Sequence, residues 1–170
     1  MEGIRTVAAL MELSAKTAPK GFGKDFVVIK TVFGSEVQRL GQEMIAWGKE
    51  TNDAYYLRDG NSVLNSEALV LIGIKDADTA GLNCGACGFQ GCAELNRSDH
   101  GQFRGPNCLI RVLDMGIAIG SAVKTANIHN VDNRIMYRAG MIARKIKLIE
   151  ADYVMGVPLA ATGKNIYFDR

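Results

Sequence analysis

With 170 residues, of which 48% are hydrophobic and 22% charged, the chain has the size and composition of one globular domain with a substantial core. The formal net charge of +2 excludes the strongly basic field of a nucleic-acid-binding protein, and the sequence contains no run of about eighteen apolar residues that could span a membrane. The N-terminus lacks the form of a signal peptide, so we predict a cytoplasmic protein built as a single domain, residues 1–170.

The N-terminal part of the chain predicts three helices and two strands. Apolar residues at helical spacing predict a helix over 3–18, which Pro19 and Gly21 end. The β-branched run 26–32 predicts a strand, and Ser35 is the expected N-cap of a helix that reaches Lys49. A short helix over 52–58 and a turn over 59–61 should follow. The apolar run 68–74 predicts a strand that is buried on both faces.

All four cysteines of the chain follow this second strand. Cys84, Cys87, Cys92 and Cys108 have the spacing C-x2-C-x4-C-x15-C. Four thiolates with one close pair can ligate a [4Fe-4S] cluster or a structural zinc ion. Zinc modules usually combine two close pairs of ligands, so the single distant cysteine favours the iron–sulfur cluster. Glycines between the cysteines let the backbone approach a cluster closely. The segment 82–108 is therefore the predicted cluster-binding segment, and zinc is the alternative.

Two other interpretations of the cysteine segment carry less weight. Cys84 and Cys87 are too close along the chain for an ordinary structural disulfide, and nothing in the sequence indicates secretion. His100 lies in the polar loop 98–107 and could ligate a metal or carry a proton. Because four cysteines already complete a site, we interpret His100 as a solvent-exposed loop residue.

The C-terminal part predicts two more helices and an edge strand. A long helix should follow Cys108 and end near Ile128, and its small residues at 116, 120 and 122 would permit close packing. The polar run 127–134 predicts a C-cap and turn, or else one wall of a ligand pocket. A helix with a solvated basic face is expected over 136–149, and a strand over 153–159 in which Pro158 indicates an edge or a bulge.

The run from Cys84 to Ala93, CGACGFQGCA, resembles the C-x2-C-G-x3-C motif of the corrinoid iron–sulfur protein and of Rnf-type electron-transfer subunits. In both, the motif binds a [4Fe-4S] cluster. Across the cysteine segment and the stretches 114–122, 129–137 and 163–170, the chain is similar to a prokaryotic family described as ferredoxin-domain proteins. This resemblance implies a cluster and a role in electron transfer or redox sensing. It does not identify the redox partner.

The element order also resembles a minimal version of the flavin-dependent nitroreductase fold. The residues that carry this likeness are 14–21, 113–122 and the Gly-x-Pro strand at 156–158. It implies an α+β fold with a mixed central sheet flanked by helices, into which the iron–sulfur segment is inserted, and a homodimer. It also implies FMN as an alternative cofactor, with Lys164 and Arg170 as its phosphate donors and residues 130–134 near the substrate. The basic motif with which that family grips FMN is missing before Pro19, so FMN is the second choice.

Overall fold

The computed structural model of the protein describes residues 2–99 and 101–168. Within them the chain forms five α-helices and four β-strands. In chain order these are α1 (Glu2–Thr17), β1 (Val27–Phe33), α2 (Ser35–Glu50), α3 (Ala54–Leu64), β2 (Ala68–Ile74), α4 (Leu109–Ile128), β3 (Asp132–Asn133), α5 (Tyr137–Lys145) and β4 (Tyr153–Ala160). The predicted α+β class is confirmed, and the cysteine segment lies between β2 and α4.

The sheet has the order β1-β2-β4-β3, and each pair of neighbouring strands is antiparallel. A mixed sheet was the expectation, and the connection between β1 and β2 explains the difference. One crossover helix would return the chain parallel to β1, whereas the helix pair α2 and α3 adds a further reversal. Strand β4 lies between β2 and β3, and Pro158 stands near its end. The two-residue strand β3 pairs only with the two residues that follow Pro158, Leu159 and Ala160.

Helices cover both faces of the sheet and create two cores. Alternate residues of β2, from Ala68 to Ile74, pack with α1 and α4. Leu69 and Leu71 point to the other face and pack with α2, α3 and α5. Every residue of β2 is buried, which confirms the prediction of a strand with two apolar faces. Among the described residues, no helix is both long and apolar enough to cross a membrane.

The turn predicted at 59–61 is wrong, because these residues lie inside α3. Gly60 is there for close packing: a Cβ at this position would lie 2.8 Å from Ile45 Cγ1 and 3.0 Å from the carbonyl oxygen of Gly41 on α2. Asp59 is buried and forms ion pairs with Arg58 at 2.6 Å and Arg138 at 3.2 Å. Tertiary contacts with α2 and α5 therefore override a local turn signal.

Helix α5 is shorter than the predicted helix over 136–149. It ends at Lys145, and Lys147 takes a left-handed backbone conformation with φ 56°. This turn lets Leu148 and Ile149 enter the core on the way to β4. Arg144 and Lys145 are also not simply solvated, since Arg144 pairs with Asp99 at 2.8 Å and the Lys145 Nζ lies 3.3 Å from the centre of the Trp47 ring.

Candidate metal centre

The cysteine segment belongs to the connection 75–108 between β2 and α4. It contains one short 3-10 turn, Cys92–Glu94, and an isolated bridge between Ser98 and Gly105. Gly85 and Gly88 adopt left-handed conformations with φ 70° and 91°, which residues with a Cβ rarely adopt. The Gly88 amide donates to the carbonyl oxygen of Gly85 at 2.9 Å, so these two glycines form a tight turn around Cys87.

The four cysteines differ in their exposure. Cys84 is exposed, Cys87 and Cys92 are partly buried, and Cys108 is 6% exposed. All four are free thiols, so the disulfide interpretation finds no support in the structure. Cys108 is the N-cap of α4, and its carbonyl oxygen accepts hydrogen bonds from the amides of Arg111 and Val112 at 3.0 and 3.1 Å. A helix with many buried residues thus fixes the backbone of Cys108.

Cys92 is held by a reciprocal contact with Asn83. The backbone amide of Asn83 donates to Cys92 Sγ at 3.3 Å, and the backbone amide of Cys92 donates to the side-chain oxygen Oδ1 of Asn83 at 2.8 Å. The Asn83 amide is the largest cause of a lowered pKa for the Cys92 thiol. The sequence analysis does not identify Asn83 as a site residue. Its signal is modest: asparagine tolerates the left-handed conformation, with φ 48°, found here directly before the first cysteine.

These residues fit a thiolate-ligated metal centre in their chemistry. Metal ligation requires thiolates, and amides that donate to sulfur stabilise a thiolate and tune a bound cluster. Within residues 2–99 and 101–168, however, no three His, Cys, Asp or Glu side chains lie close enough to hold a metal ion. A cluster on the four cysteines would therefore require their side chains to come closer together than they lie here.

Ion pairs anchor both ends of the cysteine segment to the sheet. Arg104 pairs with Asp76 at 2.8 Å and with Asp152 at 3.2 Å, although Asp76 and Arg104 are 28 residues apart. Asp152 is 4% exposed and also accepts from the Asp76 amide at 2.8 Å. The three residues line a charged cleft of about 500 Å³. Sequence reasoning missed this anchor because its members are isolated charges far apart along the chain.

Of the two predicted phosphate donors, Lys164 is described by the structure. Lys164 is exposed in the segment after β4, where its carbonyl oxygen accepts from Thr162 Oγ1 at 2.6 Å. Arg170 and His100 lie outside the described residues.

The polar run at the end of α4 holds the C-terminal segment in place. Asn165 donates to Asp132 at 2.9 Å, and Arg134 donates to the carbonyl oxygen of Tyr167 at 2.8 Å. Arg134 also lies 5.2 Å from the centre of the Phe168 ring. Residues 132–134 thus include a short strand and two anchors for the C-terminal segment, which goes beyond the predicted C-cap and turn.

The fold and this segment together define a class: a nitroreductase-like α+β domain that carries a four-cysteine insertion. Solved structures support the fold. An FMN-dependent nitroreductase from Mycobacterium smegmatis, in complex with NADPH, superimposes with a TM-score of 0.63 at 11% identity over 95% of this chain and 78% of that one. A nitroreductase-like family protein from Bacillus cereus gives 0.59 at 10% identity over 95% and 76%. The nitroreductase-like fold is confirmed.

The family follows from a curated relative. An uncharacterized protein of Archaeoglobus fulgidus is 47% identical over 171 residues, 99% of this chain and 92% of that protein. The family described as "Uncharacterized protein containing a ferredoxin domain (DUF2148)" matches residues 104–170. The chain belongs to this family of ferredoxin-domain proteins. Of the four cysteines only Cys108 lies in the matched range, so the likeness of the other three to the corrinoid and Rnf motifs stays a prediction.

Proposed function

We propose that the protein binds one [4Fe-4S] cluster through Cys84, Cys87, Cys92 and Cys108 and uses it for single-electron transfer or redox sensing. The observation that carries this proposal is the pairing of Asn83 with Cys92, which favours the thiolate form within a segment of left-handed glycines. The family's ferredoxin domain supports the same chemistry. Four free thiols suit a reducing compartment, so we infer a cytoplasmic location.

The attachment of the segment suits a redox centre. One end follows β2, a strand whose residues are all buried, and the other is the first turn of α4. Such supports limit reorganisation of the ligands when the charge of a cluster changes. Cys84 is exposed, so the side of the cluster near it would face solvent, where an unidentified redox partner could approach.

The test is metal and sulfide analysis after anaerobic purification, with absorption spectra before and after dithionite. About four irons and four sulfides per chain, with a visible band that bleaches on reduction, are expected. Cys108→Ala should lose the cluster or convert it to one with fewer irons, while His100→Ala keeps it. An intact four-iron cluster in the Cys108 variant would refute the ligand assignment. One zinc per chain in a colourless protein would replace the redox proposal by a zinc-stabilised interaction domain.

A flavoenzyme in which the cluster feeds FMN is the second candidate. The observation that favours it is the fold, since the M. smegmatis structure of the same fold is of an FMN-dependent enzyme. Lys164 and Arg170 are the candidate phosphate donors. Flavin released from the purified protein, or quenching of FMN fluorescence on addition of the protein, would support this function. Lys164→Ala should then weaken FMN binding, and no FMN binding by the cluster-loaded protein would exclude the flavoenzyme.

We also infer a homodimer that associates through the exposed face of α4. On this face Leu113 is 53% exposed and Ile117 is 47% exposed. A Cβ on Gly116 or Gly120 would meet nothing within 4 Å in the described part of the chain, so a second helix could approach closely. A helix that is apolar on this side as well as on its buried side is typical of one that packs on both. Light scattering should give a dimer for the wild type and a folded monomer for Leu113→Lys/Ile117→Lys; an unchanged mass would refute this interface.

A further inference from the structure

Arg111 carries a charged guanidinium group that is almost completely buried. It lies in the first turn of α4, three residues after Cys108, and is 1% exposed. Burial of a guanidinium group is unfavourable unless its donors are paired. Asp114, which is 5% exposed, lies 3.1 Å from Arg111 Nη1 and supplies the opposite charge. The face of the guanidinium lies 5.1 Å from the centre of the Phe26 ring.

Two further hydrogen bonds of Arg111 go to backbone carbonyl oxygens, and they connect distant parts of the chain. Nε donates to the carbonyl oxygen of Asp78 at 3.2 Å, and Nη1 donates to that of Gly21 at 2.8 Å. Asp114 completes the arrangement by accepting from the Gly21 amide at 2.7 Å. Asp78 lies between β2 and the first cysteine, while Arg111 is one helical turn from the last. One buried side chain therefore ties the entry of the cysteine segment to its exit.

We propose that Arg111 is a positioning residue, which holds the chain at Asp78 against the start of α4 so that the three cysteines of the loop and Cys108 can reach one cluster. This inference rests on the proposed function. It goes beyond the ligand set because Arg111 ligates nothing. A lysine cannot donate from two fixed positions to the two carbonyl groups as a planar guanidinium does, so Arg111→Lys should restore the arrangement only in part.

The charges of the Arg111–Asp114 pair also provide a test of whether the pair lies close to a bound cluster. A cation near a cluster favours its reduced form, which carries one more negative charge, and an anion favours the oxidised form. Arg111→Met should therefore shift the midpoint potential to more negative values. Asp114→Asn keeps an acceptor for the Gly21 amide but removes the negative charge, so it should shift the potential in the opposite direction. A general loss of stability would not give shifts of opposite sign.

The experiment compares Arg111→Met, Arg111→Lys and Asp114→Asn with the wild type and with Arg138→Met as a matched control. Arg138 pairs with the buried Asp59 at 3.2 Å, so its loss also breaks a partly buried ion pair. Among the described residues, no hydrogen bond joins Arg138 to the cysteine segment. Iron content per folded chain and midpoint potential are measured on anaerobically prepared protein. Arg111→Met should bind less than half the wild-type iron, Arg111→Lys an intermediate amount, and Arg138→Met the full amount.

Hydrogen exchange of the iron-free protein gives a second readout that does not depend on the cluster. The amides of residues 78–83 should exchange several-fold faster in Arg111→Met than in the wild type, and at an unchanged rate in Arg138→Met. Full iron content at the wild-type potential in Arg111→Met would refute the positioning role alone. A wild type that binds no iron would refute the proposed function and with it the role in cluster assembly. If Arg111→Met does not fold, the iron content of Arg111→Lys and the exchange rates of its amides 78–83 decide, and wild-type values of both would refute the inference.

Discussion

Substitution of Gly140 by alanine should severely destabilise the protein. Gly140 lies in the middle of α5, where the helix passes directly over β4. A Cβ at this position would lie 2.0 Å from the carbonyl oxygen of Val154, 2.6 Å from its carbonyl carbon and 2.9 Å from the Cα of Met155. All three are backbone atoms of a strand that is paired within the sheet, so no side-chain rotation can relieve the overlap. The helix must move away from the strand by more than 1 Å, since ordinary contacts are about 3.5 Å.

The magnitude follows from two opposing effects. Overpacking of a buried site usually lowers stability by about 1–3 kcal/mol, and a clash of the new Cβ with the backbone of an interior strand should exceed that range, at about 4 kcal/mol. Alanine regains about 1 kcal/mol because it favours the helix more than glycine. The free energy of unfolding should therefore fall by about 3 kcal/mol, and the melting temperature by about 6–12 °C for a chain of this size.

Thermal and urea unfolding followed by circular dichroism measure this change. The matched control is Gly3→Ala in α1, where a Cβ meets nothing within 4 Å among the described residues and stability should stay equal or rise slightly. If the free energy of unfolding of Gly140→Ala lay within about 1 kcal/mol of the wild-type value, the close packing of α5 on β4 would be refuted. A similar loss in both variants would show that glycine at these positions serves something other than space.

Three further predictions concern aromatic side chains. Burial raises the pKa of Tyr56 to about 12, so the folded protein binds the phenol proton more tightly than the unfolded chain, and the free energy of unfolding should fall as the pH rises from about 10 to 12. In urea unfolding at pH 8 and 11, Tyr56→Phe should show a smaller fall than the wild type, and equal falls in both proteins would contradict the assignment. Tyr167→Phe removes a buried hydrogen bond to Ser66, 2.9 Å long, and should lower the unfolding free energy by about 1 kcal/mol in the same assay, whereas no change would argue against this contact. The Lys145 ammonium lies 3.3 Å from the ring centre of Trp47, the sole tryptophan, so Lys145→Met should lower the free energy of unfolding by about 1 kcal/mol and alter the fluorescence emission of Trp47. An unchanged emission spectrum would refute the cation–π contact.

The elements that the sequence predicts well are those in which the local pattern of apolar residues indicates the buried face. Strand β2 is predicted at its observed bounds because seven consecutive apolar residues match a strand with helices on both faces. Helix α4 is also correct, since Cys108 precedes a long run with helical spacing. The cysteine spacing alone leads to the candidate ligands, because ligand type and count restrict the metal centre without any knowledge of the fold.

Other features depend on contacts that no local pattern reports. Asp59, Gly60 and Asn61 have the composition of a turn, yet the approach of α2 and the pairing of Asp59 with Arg138 keep them helical. Because they stay helical, α3 continues to Leu64, and the two helices α2 and α3 return the chain to the sheet antiparallel to β1.

The cysteine segment divides in the same way. Its ligand types are fixed by composition, but its attachment depends on Arg111 binding the carbonyl oxygen of Asp78, 33 residues away, and on Arg104 bridging Asp76 and Asp152. A charged residue carries no local mark of whether it will be solvated or buried, because that outcome depends on which partner the folded chain brings within hydrogen-bonding distance. The spacing of the cysteines is therefore enough to predict the ligand type of the site, whereas the residues that hold the segment in position emerge only from contacts in the folded chain.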